Sequence, residues 1–236
     1  MVFRWNLWRM ALASVSVCSA LFFGSTSQEA IAAIVYDNGS PTIADGSEVT
    51  NFVVANDFTL SSATNVTGGA IYIAGFGGVG NWDGTFDYWV FADNSNTVGA
   101  ALTNGSGVSV TSTSIGAGAW PHGGNTFRID FNLASPFLAA AATKYWFGVH
   151  LSTNYNRDNI FWIRTPQISQ ALQGRGNSGS ENGTFNNWTA PAATENAFYL
   201  NGSPAGGPVP EPTSLAIFGL GAVGAAYRAR RKLVAG

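Results

Sequence analysis

Phe127-Arg128-Ile129-Asp130-Phe131-Asn132-Leu133 alternates apolar and polar residues without a break. In an extended chain successive side chains point to opposite faces, so this heptapeptide has one apolar and one polar side. That is the pattern of an antiparallel strand with one face on a core and one in water. The same period recurs in Lys144 to Ser152, where Tyr145, Phe147, Val149 and Leu151 alternate with Trp146, Gly148 and His150. It recurs again in Thr85 to Phe91, with Phe86, Tyr88 and Val90 opposite Asp87, Trp89 and Phe91. On this reading His150 is a surface residue.

Further strand candidates are Thr50 to Leu60, Asn65 to Phe76, Val98 to Leu102, Gly105 to Ile115, Asn159 to Arg164 and Asn196 to Leu200. Gly75 to Gly80 and Asp93-Asn94-Ser95-Asn96 are turn clusters between them. Ser135-Pro136 reads as a loop entry, and Gly174 to Gly183 as a long loop. Charged residues are only 10% of the chain, glycines number 29, and Val, Thr and aromatic residues outweigh strong helix formers. The expected fold is all-β, an antiparallel β-sandwich of jelly-roll type.

The 236 residues divide unevenly. Residues 1–32 combine Arg4 and Arg9, the apolar run Met10 to Gly24 and the small-x-small site Ala30-Ile31-Ala32, the order of a secretory signal peptide. Residues 33–203 form the sandwich domain, and 204–208 a linker. Residues 209–232 begin with Val209-Pro210-Glu211-Pro212 and continue as an uncharged apolar stretch to Tyr227. They close on Arg228, Arg230, Arg231 and Lys232. The apolar stretch predicts a transmembrane helix, and the basic cluster keeps its end on the cytoplasmic side. Gly219-Leu220-Gly221-Ala222-Val223-Gly224 matches a dinucleotide fingerprint by spacing alone. It is rejected because no βαβ unit with a later acidic residue can follow.

The body carries Arg128, Lys144, Arg157, Arg164 and Arg175, dispersed among acids from Asp37 to Glu195, so nucleic acid is not an expected partner. Cys18, inside the leader, is the only cysteine, which excludes a disulfide or a thiol site in the body. No G-x-S-x-G elbow supports a nucleophile beside His122 or His150. A carboxylate-dependent hydrolase would need Asp83, Asp87 and Asp130 to converge. No enzymatic role and no cofactor is expected. Oxygen-rich turns at Asp83-Gly84 and Asp93-Asn94-Ser95 are the calcium candidates, although Asn104 stands where a loop opened by Asp93 would need its closing acid. Trp89, Trp146 and Trp162 are candidate glycan-binding platforms if strand faces opposite the core expose them. The alternative is that both faces are covered and these are core residues.

Val209-Pro210-Glu211-Pro212, the apolar segment and the basic end together resemble the PEP-CTERM sorting signal of bacterial surface proteins. The resemblance implies export through the Sec machinery and transient anchoring in the inner membrane by the C-terminal helix. Exosortase would then process the chain at Pro210-Glu211-Pro212, with the body released or attached at the envelope or outside the cell. It also implies an exopolysaccharide and biofilm setting. Asn56-Asp57-Phe58-Thr59-Leu60 and Lys144-Tyr145-Trp146-Phe147-Gly148 resemble segments of sandwich domains carried by this class. The expected function is a structural or adhesive matrix protein. The alternative is a carbohydrate-binding module, and a secreted hydrolase comes third.

Overall fold

The computed structural model describes residues 32–80, 82–116, 120–166, 171–175, 185–189 and 195–206. Among them the alternating segments form strands. They are β1 (Ala33–Asp37), β2 (Gly46–Glu48), β3 (Phe52–Thr59), β4 (Thr64–Gly75), β5 (Asp87–Asp93), β6 (Val98–Ser106) and β7 (Val108–Gly116). After these come β8 (Thr126–Ala139), β9 (Lys144–His150), β10 (Ile160–Ile163), β11 (Ala171–Arg175), β12 (Asn186–Thr189) and β13 (Phe198–Pro204).

They pair antiparallel in two sheets. The first, of seven strands, runs β1-β13-β4-β10-β2, with β8 on the other side of β4 and β7 beyond β8. The second, of six, runs β12-β11-β3-β9-β5-β6. The fold is all-β, as the periodicity predicts. No helix among the described residues is long and apolar enough to cross a membrane. The expected signal peptide and C-terminal helix lie outside the described residues.

Alternation from both sheets meets in one core. Phe86, Tyr88 and Val90 of the β5 segment join Tyr145, Phe147 and Val149 of β9 and Ile129, Phe131 and Leu133 of β8. Aromatic rings run through it: Phe86 stacks on Phe131 at 4.4 Å, Phe131 on Phe147 at 5.6 Å, and Phe147 on Phe198 at 5.9 Å. Offset contacts of this kind add to the burial itself.

The other face of the second sheet is not wet. Trp89, Phe91, Trp146, Val53 and Ala55 form a second apolar layer with Leu172, which lies beside Ala55 on β11 of the same sheet, and with Phe185, which precedes β12. This overturns the reading of Trp89, Trp146 and Trp162 as exposed platforms. Their exposures are 3%, 0% and 0%. Trp162 belongs to the main core, where its Nε1 donates to the Ala197 carbonyl at 2.8 Å. Trp146 donates to Asp93 Oδ1 at 2.9 Å, with the Lys144 ammonium 5.0 Å from its ring centre.

Two local readings also change. β8 continues through Ser135-Pro136, because the ladder with β4 shifts register there. The pairing steps from Gly68↔Asn132 to Val66↔Phe137. An irregularity tolerates proline where a regular ladder would not, and the Tyr88 hydroxyl accepts the Ala134 amide at 2.9 Å. The segment expected as a loop from Gly174 begins inside β11.

Emptying the Trp162 site should cost about 3–5 kcal/mol in Trp162→Ala. Leu138→Ala, at a side chain 59% exposed, should stay within about 0.5 kcal/mol. Urea unfolding followed by circular dichroism measures both, and equal costs would contradict the assigned core.

Candidate functional site

The ladder that joins β6, β5 and β9 builds the site. Asp87 pairs with Ser106 on one side and His150 on the other, and two residues along Trp89 pairs with Asn104 and Gly148. Partners in register share a face, so Asp87, Ser106, His150, Trp89 and Asn104 come together on the outer face of the second sheet. With Ser152, Thr153 and Tyr155 from the turn after β9 they line a cleft of about 280 Å³.

Its walls are fixed by hydrogen bonds. The Ser106 hydroxyl donates to Asp87 Oδ1 at 2.6 Å. The Ser152 hydroxyl donates to Asp158 Oδ2 at 3.1 Å, and Asp83 Oδ2 accepts the Thr153 amide at 3.1 Å. Tyr155 stacks on the His150 ring, centres 4.2 Å apart and planes inclined by 22°.

His150 is therefore not a surface residue. It is 2% exposed, and its Nε2 lies 2.8 Å from the Thr50 carbonyl oxygen. A carbonyl can only accept, so Nε2 carries the proton. Burial pushes the imidazole below its ordinary value, more than the Thr50 bond and the nearby Asp87, Asp83 and Asp158 raise it. The ring is thus neutral at pH 7, and Nδ1 is an acceptor. Trp89 adds a buried indole N–H without a hydrogen-bond partner. The lining offers hydroxyls, an amide, one carboxylate, a neutral imidazole and aromatic surface, and among the described residues it includes no Lys or Arg. Such a wall suits neutral hydroxylated molecules and disfavours anions.

The acidic trio that a carboxylate-dependent hydrolase would need does not assemble. Asp83 and Asp87 belong to the cleft end of the second sheet. Asp130 is on β8 in the first sheet, paired with Arg128 at 2.9 Å and accepting the Tyr199 hydroxyl. The calcium candidates are engaged by turns: Asp83 accepts the amides of Thr85 and Thr153, and Asp93 accepts the Asn96 amide and the Trp146 indole. Among the described residues no group of three or more His, Cys, Asp or Glu is placed to hold a metal.

Residues 208–232 match the PEP-CTERM protein-sorting motif. The chain carries a PEP-CTERM sorting signal. That signal marks an exported protein for exosortase processing at the cell envelope. It contains Val209, Pro210, Glu211 and Pro212 and the cluster Arg228, Arg230, Arg231 and Lys232, all outside the described residues. No curated protein matches the chain.

In the body that precedes the PEP-CTERM motif a second polar cluster lies buried, and sequence reading missed it because its members are far apart. Glu195, Asn196, Asn56 and Asn38 are at most 3% exposed. The Asn38 side-chain amide donates to the Asn196 carbonyl, and Asn56 Oδ1 accepts the Asn196 amide. Burial, with the Asp57 carboxylate adding to it, pushes Glu195 up to about 7, against the lowering by Asn38 and Lys144.

The folded chain therefore holds the Glu195 proton longer than the unfolded chain does. Its contribution to stability is complete below about 4.5 and is lost as pH rises through about 7. Glu195→Gln, which mimics the protonated acid, should flatten that part of the profile. Its melting temperature should exceed the parent's at pH 8 and not at pH 4.5. Thermal melts across this range test it, and parallel profiles would assign the pH dependence to other groups.

Proposed function

We propose that this is an exported envelope or extracellular-matrix protein whose sandwich serves a structural or adhesive role without catalysis. One observation carries the reading: the PEP-CTERM motif at residues 208–232 directly follows a body, Ala30–Gly207, that forms one compact unit of its own. In this reading the leader delivers the chain across the inner membrane, and the apolar segment holds it there. Exosortase then acts at Pro210-Glu211-Pro212. Changing these three residues to alanine should leave the full-length chain in the membrane fraction, with its basic tail attached. Intact-mass analysis of the fractions reads the outcome. Normal processing of the variant would remove the sorting role from this motif.

A second reading, carbohydrate binding, is supported by the cleft rather than by exposed tryptophans. Hydroxyls, the Asp87 carboxylate and the unpartnered Trp89 N–H beside the Tyr155 ring match the needs of a neutral sugar unit. Neutral oligosaccharides should give a saturable change in tryptophan fluorescence, weakened at least tenfold in Asp87→Ala. Uronic-acid oligomers should give none, because Asp83 and Asp87 repel them. Absence of a response across neutral glycans would end this reading.

A further inference from the structure

We infer that the cleft on the outer face of the second sheet selects an amino sugar, a hexosamine unit whose amine is free and charged. The inference rests on the carbohydrate-binding reading of the same cleft and adds the class of sugar.

Charge is the first argument. Asp87 lines the cleft, its Oδ1 accepts the Ser106 hydroxyl, and among the described residues no hydrogen bond takes its other oxygen. Two more carboxylates stand one hydrogen bond behind the lining. Asp158 accepts the Ser152 hydroxyl, and Asp83 accepts the Thr153 amide. Burial lowers the His150 imidazole and all three carboxylates act on it in the opposite direction, so their field reaches the cleft wall. The ion pairs among the described residues are Arg128–Asp130, Lys144–Asp57 and Arg164–Asp45, and none of them neutralises these three acids. Arg157, in the turn beside Asp158, is exposed and outside the lining, and its charge acts on Glu48. A concave wall with one sign of charge concentrates ligands of the other sign.

The wall also selects what else the cation must carry. Trp89 lines the cleft, is 3% exposed, and its indole N–H has no hydrogen-bond partner. An indole only donates, so a ligand built of donors alone, such as a polyamine, would leave it unpaired. Sugar hydroxyls both donate and accept, which suits Trp89 together with Ser106, Ser152 and Thr153. A volume of about 280 Å³ lies at the small end of ligand pockets and suits one ring rather than a run of them. An ammonium on that ring is the partner for the open oxygen of Asp87, in a charge-assisted bond stronger than a hydroxyl makes there. N-acetylation of the same nitrogen removes the charge.

Titration of the full-length chain in mild detergent tests the inference. The probes are a glucosamine trimer, its N-acetylated counterpart, a glucose trimer and trilysine, followed by tryptophan fluorescence at mildly acidic pH, where the amines are charged. The glucosamine trimer should bind at least tenfold more tightly than either neutral trimer, and the preference should shrink as added salt screens the carboxylates. Asp87→Asn, which keeps an acceptor for Ser106, should abolish the preference. Asp37→Asn, the same loss of charge on exposed β1, should retain it. Equal binding of the three trimers would overturn the inference and leave the carbohydrate reading standing, whereas no binding of any trimer would end both. Tighter binding of trilysine than of the glucosamine trimer would overturn it in favour of a basic peptide. Loss of the preference in Asp37→Asn would assign it to overall charge and overturn it too. The wild-type comparison and its salt dependence decide the matter even if Asp87→Asn fails to fold.

Discussion

Trp146 is fully buried on the outer face of β9, while its neighbours Tyr145 and Phe147 are buried on the inner face. The second sheet is thus closed on both sides, and this double closure constrains the rest of the structure. Side chains alternate with period two, so a slip of one residue in β3, β9 or β5 would exchange two complete apolar layers. It would bring Trp146 and Trp89 into the space of Phe147 and Tyr88, whose size and ring contacts differ. Register in this sheet is therefore specified from two sides. The cleft inherits that precision, because Asp87, Ser106 and His150 are brought together by register alone.

The inner layer was legible in the sequence, since Phe127 to Leu133, Lys144 to Ser152 and Thr85 to Phe91 each place the right residues on the core. The outer layer was not. Periodicity reveals that Trp89 and Trp146 share a face opposite the core, but not whether another segment lies over that face. Leu172, Phe185 and Trp188, which complete that layer, flank the Gly174 to Gly183 stretch that reads as a loop. Likewise Pro136 looks like a strand breaker until the ladder shift beside it is known. His150 was assigned to water by the same alternation, and Tyr155, from a turn, covers it.

The candidate site was legible only in part. Asp83, Asp87 and Trp89 stood out by residue type, yet Ser106, Ser152 and Tyr155 are ordinary turn and strand residues until topology joins them. The Glu195 cluster had no sequence signal, because its contacts bridge residues 140 or more positions apart. The sorting motif is the opposite case. A processing enzyme reads it as a linear segment, so its order of residues is the information, and no folded geometry is needed to recognise it.

These two kinds of information meet where the body ends. β1 and β13 pair side by side, with Ala33 opposite Gly202, so the first and last strands of the sandwich close on each other. Leader removal after Ala32 would leave every residue of that ladder in place. Cleavage within Pro210-Glu211-Pro212 would do the same, since β13 ends at Pro204. The Ala205 amide bonds to the Ala63 carbonyl at 2.8 Å and ties down the chain just beyond that strand. The paired residues of this ladder all lie between the proposed leader and the sorting motif. The cleft is likewise built from residues between them, Asp87 to Tyr155, so the linear signal and the folded site occupy separate parts of the sequence.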